Sequence, residues 1–443
     1  MSSSSRALDR IEVIFDEPSL VADAGLIVPA TLAVRLGLER LIDQTVRLTG
    51  RIGGSHAGRK ILTLVFAILA GASHIDHAQR LRSGAARRVL PFGVMAPSTL
   101  GIFLRLFTFG HIRQLDAVIA EAIRRAWRAG AGPQDEAMTI DLDSTIVEVH
   151  GYKKGGAAYG YTKVLGYHPL IATRGDTGEV LHARLRKGSS QRGTNRFCEE
   201  LIARVRRCGA TGRLCVRAAA GFHSFELIRT LTRLGVAFSI TVHQNASVRA
   251  QVEAIPEAAW RPITYTDGGE AFVAETTYVT GGGKTKRAER ANRLVVRRTR
   301  LSDPRQQQLW PDWRYHCFVT NVDLDAVAAD AFHREHATVE LAIRDLKEGA
   351  GLEDCPSGRF FANAAWLGCA VLAHDLVRWT ARLGATADGR LTVAGTVRTR
   401  LIALPGRLVN RSGRIVLRLP EHWPWAQRFL GALERIRSLP LVT

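Results

Sequence analysis

Residues Thr139–Val149, reading TIDLDSTIVEV, constrain this chain more than any other stretch. Apolar and polar residues alternate with period two, and β-branched side chains dominate, so the segment predicts a strand. Alternation puts Asp141 and Asp143 on one face. Two carboxylates side by side on a strand repel each other unless a cation or solvent lies near. An exposed edge face would show the same pattern, but the apolar flanks favour a buried central strand.

The downstream sequence, as far as Val242, has α/β order. After a Gly- and Tyr-rich loop (Gly151 to Tyr167), strands are expected at His168–Ala172 and Val180–Arg186, around the turn Gly175-Asp176-Thr177-Gly178. A helix at Arg196–Arg207, a strand at Arg213–Ala219, a helix at Phe225–Leu234 and a strand at Val236–Val242 complete the series. Strand, hairpin, helix, strand, helix, strand is the order of a ribonuclease-H-like domain. From Gln244 to about Trp313 the pattern turns to irregular β with Gly-rich turns. This insertion carries Lys284, Lys286, Arg287, Arg290, Arg293, Arg297, Arg298 and Arg300. A solvated basic face explains such a run, and phosphate contact is the sharper alternative.

A second motif lies beyond the strand Tyr315–Asn321, in the stretch Phe332–Leu352. On one α-helix at about 100° per residue, His333, His336, Glu340, Arg344 and Lys347 fall in a narrow arc. Val339, Ile343, Leu346 and Ala350 form the apolar stripe beside it, and Gly349 and Gly351 supply the stop. By itself this is the pattern of an amphipathic surface helix. A long apolar helix, Asn363–Leu383, follows. The tail contains a hairpin, Leu404–Leu419, turning at Asn410 to Gly413, and a last helix.

The N-terminal part reads as a short strand (Ile11–Phe15) and then mostly helix, at Ala30–Leu48, Lys60–Ala72 and Leu100–Arg128. Between the helices Arg80, Arg82, Arg87 and Arg88 flank a Ser83-Gly84 turn. An Arg-studded helical unit fits either a helix-turn-helix DNA reader or a plain helical bundle. The expected division is 1–134 helical and DNA-binding, 135–243 first part of the core, 244–313 insertion, 314–385 second part, and 386–443 hairpin and helix.

Charge supports a polyanionic partner. Lys and Arg number 61 against 41 acidic residues, a net +20 over 443 residues. Most of the excess is Arg, whose planar fork suits phosphate, and nucleic acid is the commonest partner of such a surface. The six cysteines form no CxxC pair and read as reduced structural thiols. The apolar run Ile61 to Ala72 is too short to span a bilayer. The N-terminus lacks the apolar core of a secretory signal, so a cytoplasmic protein is expected.

An acidic strand and a distant helix bearing a glutamate form the skeleton of two-metal phosphoryl transfer. Such a site needs about three carboxylates around ions ~3.5–4 Å apart. Together with IDLDST, YGYTKVLGYHPL, FSITVHQN, RDLKEGAGLEDCPSGRF, LPGRLVNRSGR and WPW, these motifs make the chain resemble bacterial insertion-sequence transposases of the DDE class. The resemblance implies a ribonuclease-H-like (retroviral-integrase-like) core with a β-rich insertion. It also implies cut-and-paste transposition on double-stranded DNA, by a homodimer acting on paired element ends at the bacterial nucleoid, with two Mg²⁺ (or Mn²⁺) ions. The family's signature helix spaces Tyr, Arg, Glu and Lys as this chain spaces His333, His336, Glu340 and Lys347. The resemblance therefore assigns Asp143 and Glu340 as catalytic metal ligands. Asp141, Lys347, His333, His336 and Arg344 become supporting residues. Arg80, Arg82, Arg87, Arg88, Lys284, Lys286, Arg287, Arg290, Arg297 and Arg298 become DNA contacts.

One position departs from the family. Where the second catalytic aspartate stands in a frame like Arg-Ala-Asp-Ser-Gly-Phe, this chain has Arg217-Ala218-Ala219-Ala220-Gly221-Phe222. Ala219 cannot ligate a metal. Impaired catalysis with retained DNA binding is expected, whether the change is a deliberate substitution or a natural loss. A domesticated DNA-binding protein without chemistry, such as a repressor or architectural factor, is the alternative.

Overall fold

The computed structural model describes residues 8–48, 50–151, 153–160, 162–188, 190, 192–265, 269–280, 290–301, 313–385 and 393–442. Its centre is a nine-stranded sheet. The strands in chain order are β1 (Met138–Ser144), β2 (Leu170–Arg174), β3 (Val180–Arg184), β4 (Leu214–Ala218), β5 (Ala237–Thr241), β6 (Arg261–Pro262), β7 (Gly269–Thr280), β8 (Arg290–Leu301) and β9 (Arg314–Thr320).

Across the sheet the order is β6-β7-β8-β9-β5-β4-β1-β2-β3. β1 pairs antiparallel with β2 and parallel with β4, and β4 pairs parallel with β5. The antiparallel hairpin β2–β3 and the parallel trio β1, β4, β5 form the ribonuclease-H-like arrangement. The parallel joins need crossovers, supplied by helices α2 (Thr194–Cys208) and α3 (Phe225–Arg233). β1 is central and mostly buried, as its apolar flanks require. It is shorter than TIDLDSTIVEV suggests: the strand stops at Ser144, and Val147–Glu148 joins a separate three-stranded sheet.

The insertion is no appended module. Strand β9 pairs with β5 on one side and β8 on the other, so β6, β7 and β8 extend the central sheet itself. Lys284, Lys286 and Arg287 lie outside the described residues. Arg290 opens β8.

The N-terminal helices do not form a core of their own. Ile27–Arg35, Leu38–Thr45, Ala57–Leu69, Pro97–Arg105 and α1 (Phe109–Ala126) share one continuous apolar core with the sheet. Gly37, at φ 62°, breaks the expected Ala30–Leu48 helix in two; that backbone region favours glycine. The helix Phe360–Leu383 is long and apolar enough to cross a membrane, yet it is buried against these helices. The Arg-rich turn occupies two short 3₁₀ segments, Ile75–Arg82 and Ala86–Arg88, instead of a groove-reading α-helix.

Two helices lie across the site-bearing face: α4 (Ala326–Arg334) and α5 (Thr338–Arg344). The single helix expected over Phe332–Leu352 begins earlier, at the Asp325 cap, and changes winding twice. A 3₁₀ turn, Glu335–Ala337, joins α4 to α5, and a π turn, Asp345–Gly349, comes after α5. Tightening and widening of the winding break the narrow arc drawn at constant pitch. The expected strand at Ile11–Phe15 is absent; these residues are exposed coil. The tail hairpin is present as β10 (Gly406–Arg411) and β11 (Arg414–Arg418). Its turn places Ser412 and Gly413 at φ 51° and 78°, the left-handed pair that two-residue hairpins require.

Candidate active site

The pleat of β1 aims Asp141 and Asp143 at the face covered by α4 and α5. The neighbouring strand β4 turns Arg217 and Ala219 the same way. Register pairs Asp141 with Arg217 and Leu142 with Ala218. Ala219 follows directly on the last residue of β4, still extended at φ −72° and ψ 169°. Strand β5 adds Ser239, opposite Arg217, and β9 adds Phe318, opposite Thr241.

Asp141 is completely buried. Arg217 grips both of its oxygens, Nε donating to Oδ1 and Nη2 to Oδ2, each at 2.8 Å. The remaining nitrogen, Nη1, donates to the Phe332 carbonyl at 2.7 Å and to Glu335 Oε2 at 2.9 Å. One guanidinium thus ties β1 and β4 to the end of α4 and the turn after it. His336 Nδ1 stands 2.8 Å from the same Asp141 Oδ1. The Asp141 carboxylate is therefore committed to Arg217 and His336.

Asp143 is different. Burial pushes its carboxyl above the ordinary carboxylate range, and the charges of Glu340 and Asp141 add to this. The Ser144 N–H, donating to Oδ1 at 2.7 Å, and His336 oppose the shift. Mutual repulsion with Glu340 means the two carboxylates share one neighbourhood. Glu340 itself sits exposed in the first turn of α5. Asp143, near the carboxyl end of β1, and Glu340 thus lie within electrostatic reach of each other.

His333 is buried between Ser239 Oγ (2.8 Å) and Thr241 Oγ1 (2.9 Å) and stacks on Phe318 with ring centroids 4.1 Å apart. Burial, aided by His316, His336, Arg297 and Arg217, pushes it down to about 2, so it is neutral. Lys347 Nζ donates to the Ile146 carbonyl at 3.0 Å and lies 3.3 Å from Glu353. Arg344 is exposed.

The expected DNA contacts separate into two kinds. Arg80, Arg82, Arg87 and Arg88 are all exposed, and Arg80 also pairs with Asp23 at 3.1 Å. Arg297 and Arg298 are both buried, on opposite faces of β8, against the expectation of an exposed pair reaching phosphate. Arg297 pairs with the fully buried Asp330 at 2.8 Å. Arg298 is ringed by Trp260, Phe272 and Trp313, at 4.4, 4.9 and 4.6 Å from their ring centroids, and pairs with Glu257. Neither pairing is visible in a linear run of basic residues. The clamp made by Arg217 escapes the sequence reading as well, although its parity with Ala219 carries the signal.

The donor set can be tested against a two-ion centre. Asp143 and Glu340 supply two carboxylates, Ala219 offers a methyl, and Asp141 is held by Arg217 and His336. Among the described residues, no group of three or more His, Cys, Asp or Glu is arranged to hold a metal ion. The residues present do not fit a two-ion site.

A comparison with curated proteins gives no match. Among solved structures, the chain is similar to a piggyBac transposase synaptic complex with hairpin DNA. The identity is 12% and the TM-score 0.44, over 86% of this chain and 79% of that one. The family model described as transposase DDE domain, group 1, matches residues 4–441. With that match running over nearly its whole length, the chain belongs to the DDE transposase family.

Proposed function

We propose that this protein binds the terminal inverted repeats of a bacterial insertion sequence and is impaired in cutting them. What supports the reading is that the charge of Glu340 acts on Asp143 while Ala219 follows β4, the parallel neighbour of Asp143's strand, two carboxylates and a methyl where family chemistry uses three carboxylates. Asp143 and Glu340 are the retained catalytic positions. Asp141 holds the architecture through Arg217 and His336, and Lys347 and Arg344 are the cations offered to a phosphate. Double-stranded DNA is the partner, engaged as a homodimer on paired ends. Exposed arginines such as Arg82, Arg87 and Arg88 supply sequence-independent attraction.

The test is restoration. Ala219→Asp should convert a protein that binds but does not nick an inverted-repeat duplex into one that nicks it with Mg²⁺ or Mn²⁺. If the restored chain cuts no cognate end, the catalytic assignment fails. The same alanine also favours a second reading, a DNA-binding repressor or architectural factor. That reading requires tight, salt-sensitive binding to sites away from any flanking repeats, with no dependence on metal.

A further inference from the structure

Residues 11–16 form an exposed arm. Val13 is 74% exposed, Ile14 62%, and Phe15 fully so. Glu12 and Asp16 are exposed as well. An apolar trio in exposed coil is unfavourable unless something covers it. A partner edge lies at the other end of the chain. The small sheet runs in the order Leu20–Val21, β10, β11, so β11 is its outer strand. Ile415 is 66% exposed and Val416 37%, and Arg414 and Arg418 are exposed. Edges of this kind, with no further strand on them among the described residues, accept an added strand.

The two segments complement each other. Glu12-Val13-Ile14-Phe15-Asp16 reads acid, three apolar, acid; Arg414-Ile415-Val416-Leu417-Arg418 reads base, three apolar, base. With Ile14 opposite Val416, each carboxylate faces a guanidinium in either strand direction. Alternation also aligns Val13 and Phe15 with Ile415 and Leu417 on one face.

The arm cannot reach that edge within its own chain. Leu408 N–H donates to the Ser19 carbonyl at 2.9 Å, and Glu17 pairs with Arg407 at 3.0 Å. These contacts pin the arm's root on the opposite side of β10. The position beyond β11 lies three strand spacings from Leu20–Val21, roughly 14 Å. Only Glu17, Pro18 and Ser19 separate Asp16 from Leu20, and two of the three are held in place. We propose that Glu12–Asp16 of one copy adds as a fourth strand to β11 of a second copy, with the exchange made reciprocally. A reciprocal exchange closes as a two-fold dimer and leaves both edges covered.

The test uses the full-length chain without DNA. One preparation carries Ile14→Cys and another Val416→Cys; the wild-type chain, whose cysteines are buried or half-buried, sets the background. On mixing and oxidation, a disulfide-linked heterodimer of the two variants is expected. Absence of that product, or closure only inside a chain carrying both changes, would overturn the proposal. Sedimentation adds a charge test: Glu12→Arg with Asp16→Arg should weaken dimerisation about tenfold. Adding Arg414→Glu with Arg418→Glu should restore it. An unchanged dimer in the first variant would overturn the pairing.

Discussion

The Arg217 guanidinium holds the Asp141 carboxylate in a bidentate pair, two nitrogens on two oxygens, each at 2.8 Å, with Asp141 fully buried. This pair fixes the spacing of β1 and β4, and its third nitrogen fixes the end of α4. Removing one partner strands a buried charge. Arg217→Ala should therefore destabilise the fold by about 3–5 kcal/mol. The double variant Asp141→Leu with Arg217→Met should lose less than Arg217→Ala alone. Thermal melts of the three proteins check this; equal losses would show that the pair does not act as a unit.

Stability should fall in mild acid. His333 is pushed down to about 2 and His316 to about 4, in both cases chiefly by burial, against an unfolded value near 6.5. Folded imidazoles therefore refuse a proton that the unfolded chain accepts. Stability is fully present above about pH 6.5 and erodes as pH falls through the window toward 4 and then 2, by up to ~1.4 kcal/mol per unit for each histidine. Denaturant titrations at pH 7.5 and 5 check this. His333→Gln should flatten the dependence.

Basic residues should divide by placement. Each of Arg82→Ala, Arg87→Ala and Arg88→Ala should lower DNA affinity and reduce the slope of log affinity against log salt by about one, with melting unchanged. Arg298→Ala should do the reverse, because it empties the cage of Trp260, Phe272 and Trp313. Filter-binding series at several salt concentrations, beside melts, separate the two classes.

Much of this architecture is legible in the chain. Period-two alternation locates β1 and the shared face of Asp141 and Asp143, and the strands and helices from β2 to β5 come from local pattern. The frame around Ala219 is what brings the proposed loss of a carboxylate to notice. The hidden remainder depends on packing. Constant-pitch reasoning cannot show that Glu335–Ala337 tightens and Asp345–Gly349 widens, yet these turns decide which way His336 and Lys347 point. A run of arginines does not reveal that Asp330 waits for Arg297. Ile11–Phe15 has the composition of a strand, but among the described residues no strand pairs with it.

The most direct measurement concerns divalent ions at the shared site proposed for Asp143, position 219 and Glu340. Mn²⁺ affinity would be followed by calorimetry in the wild-type chain, in Ala219→Asp, and in Ala219→Asp with Glu340→Gln. Weak binding in the wild type, a gain of at least about tenfold on adding the aspartate, and loss of that gain with Glu340→Gln are predicted. An Ala219→Asp protein that binds Mn²⁺ no better than the wild type would contradict the shared site.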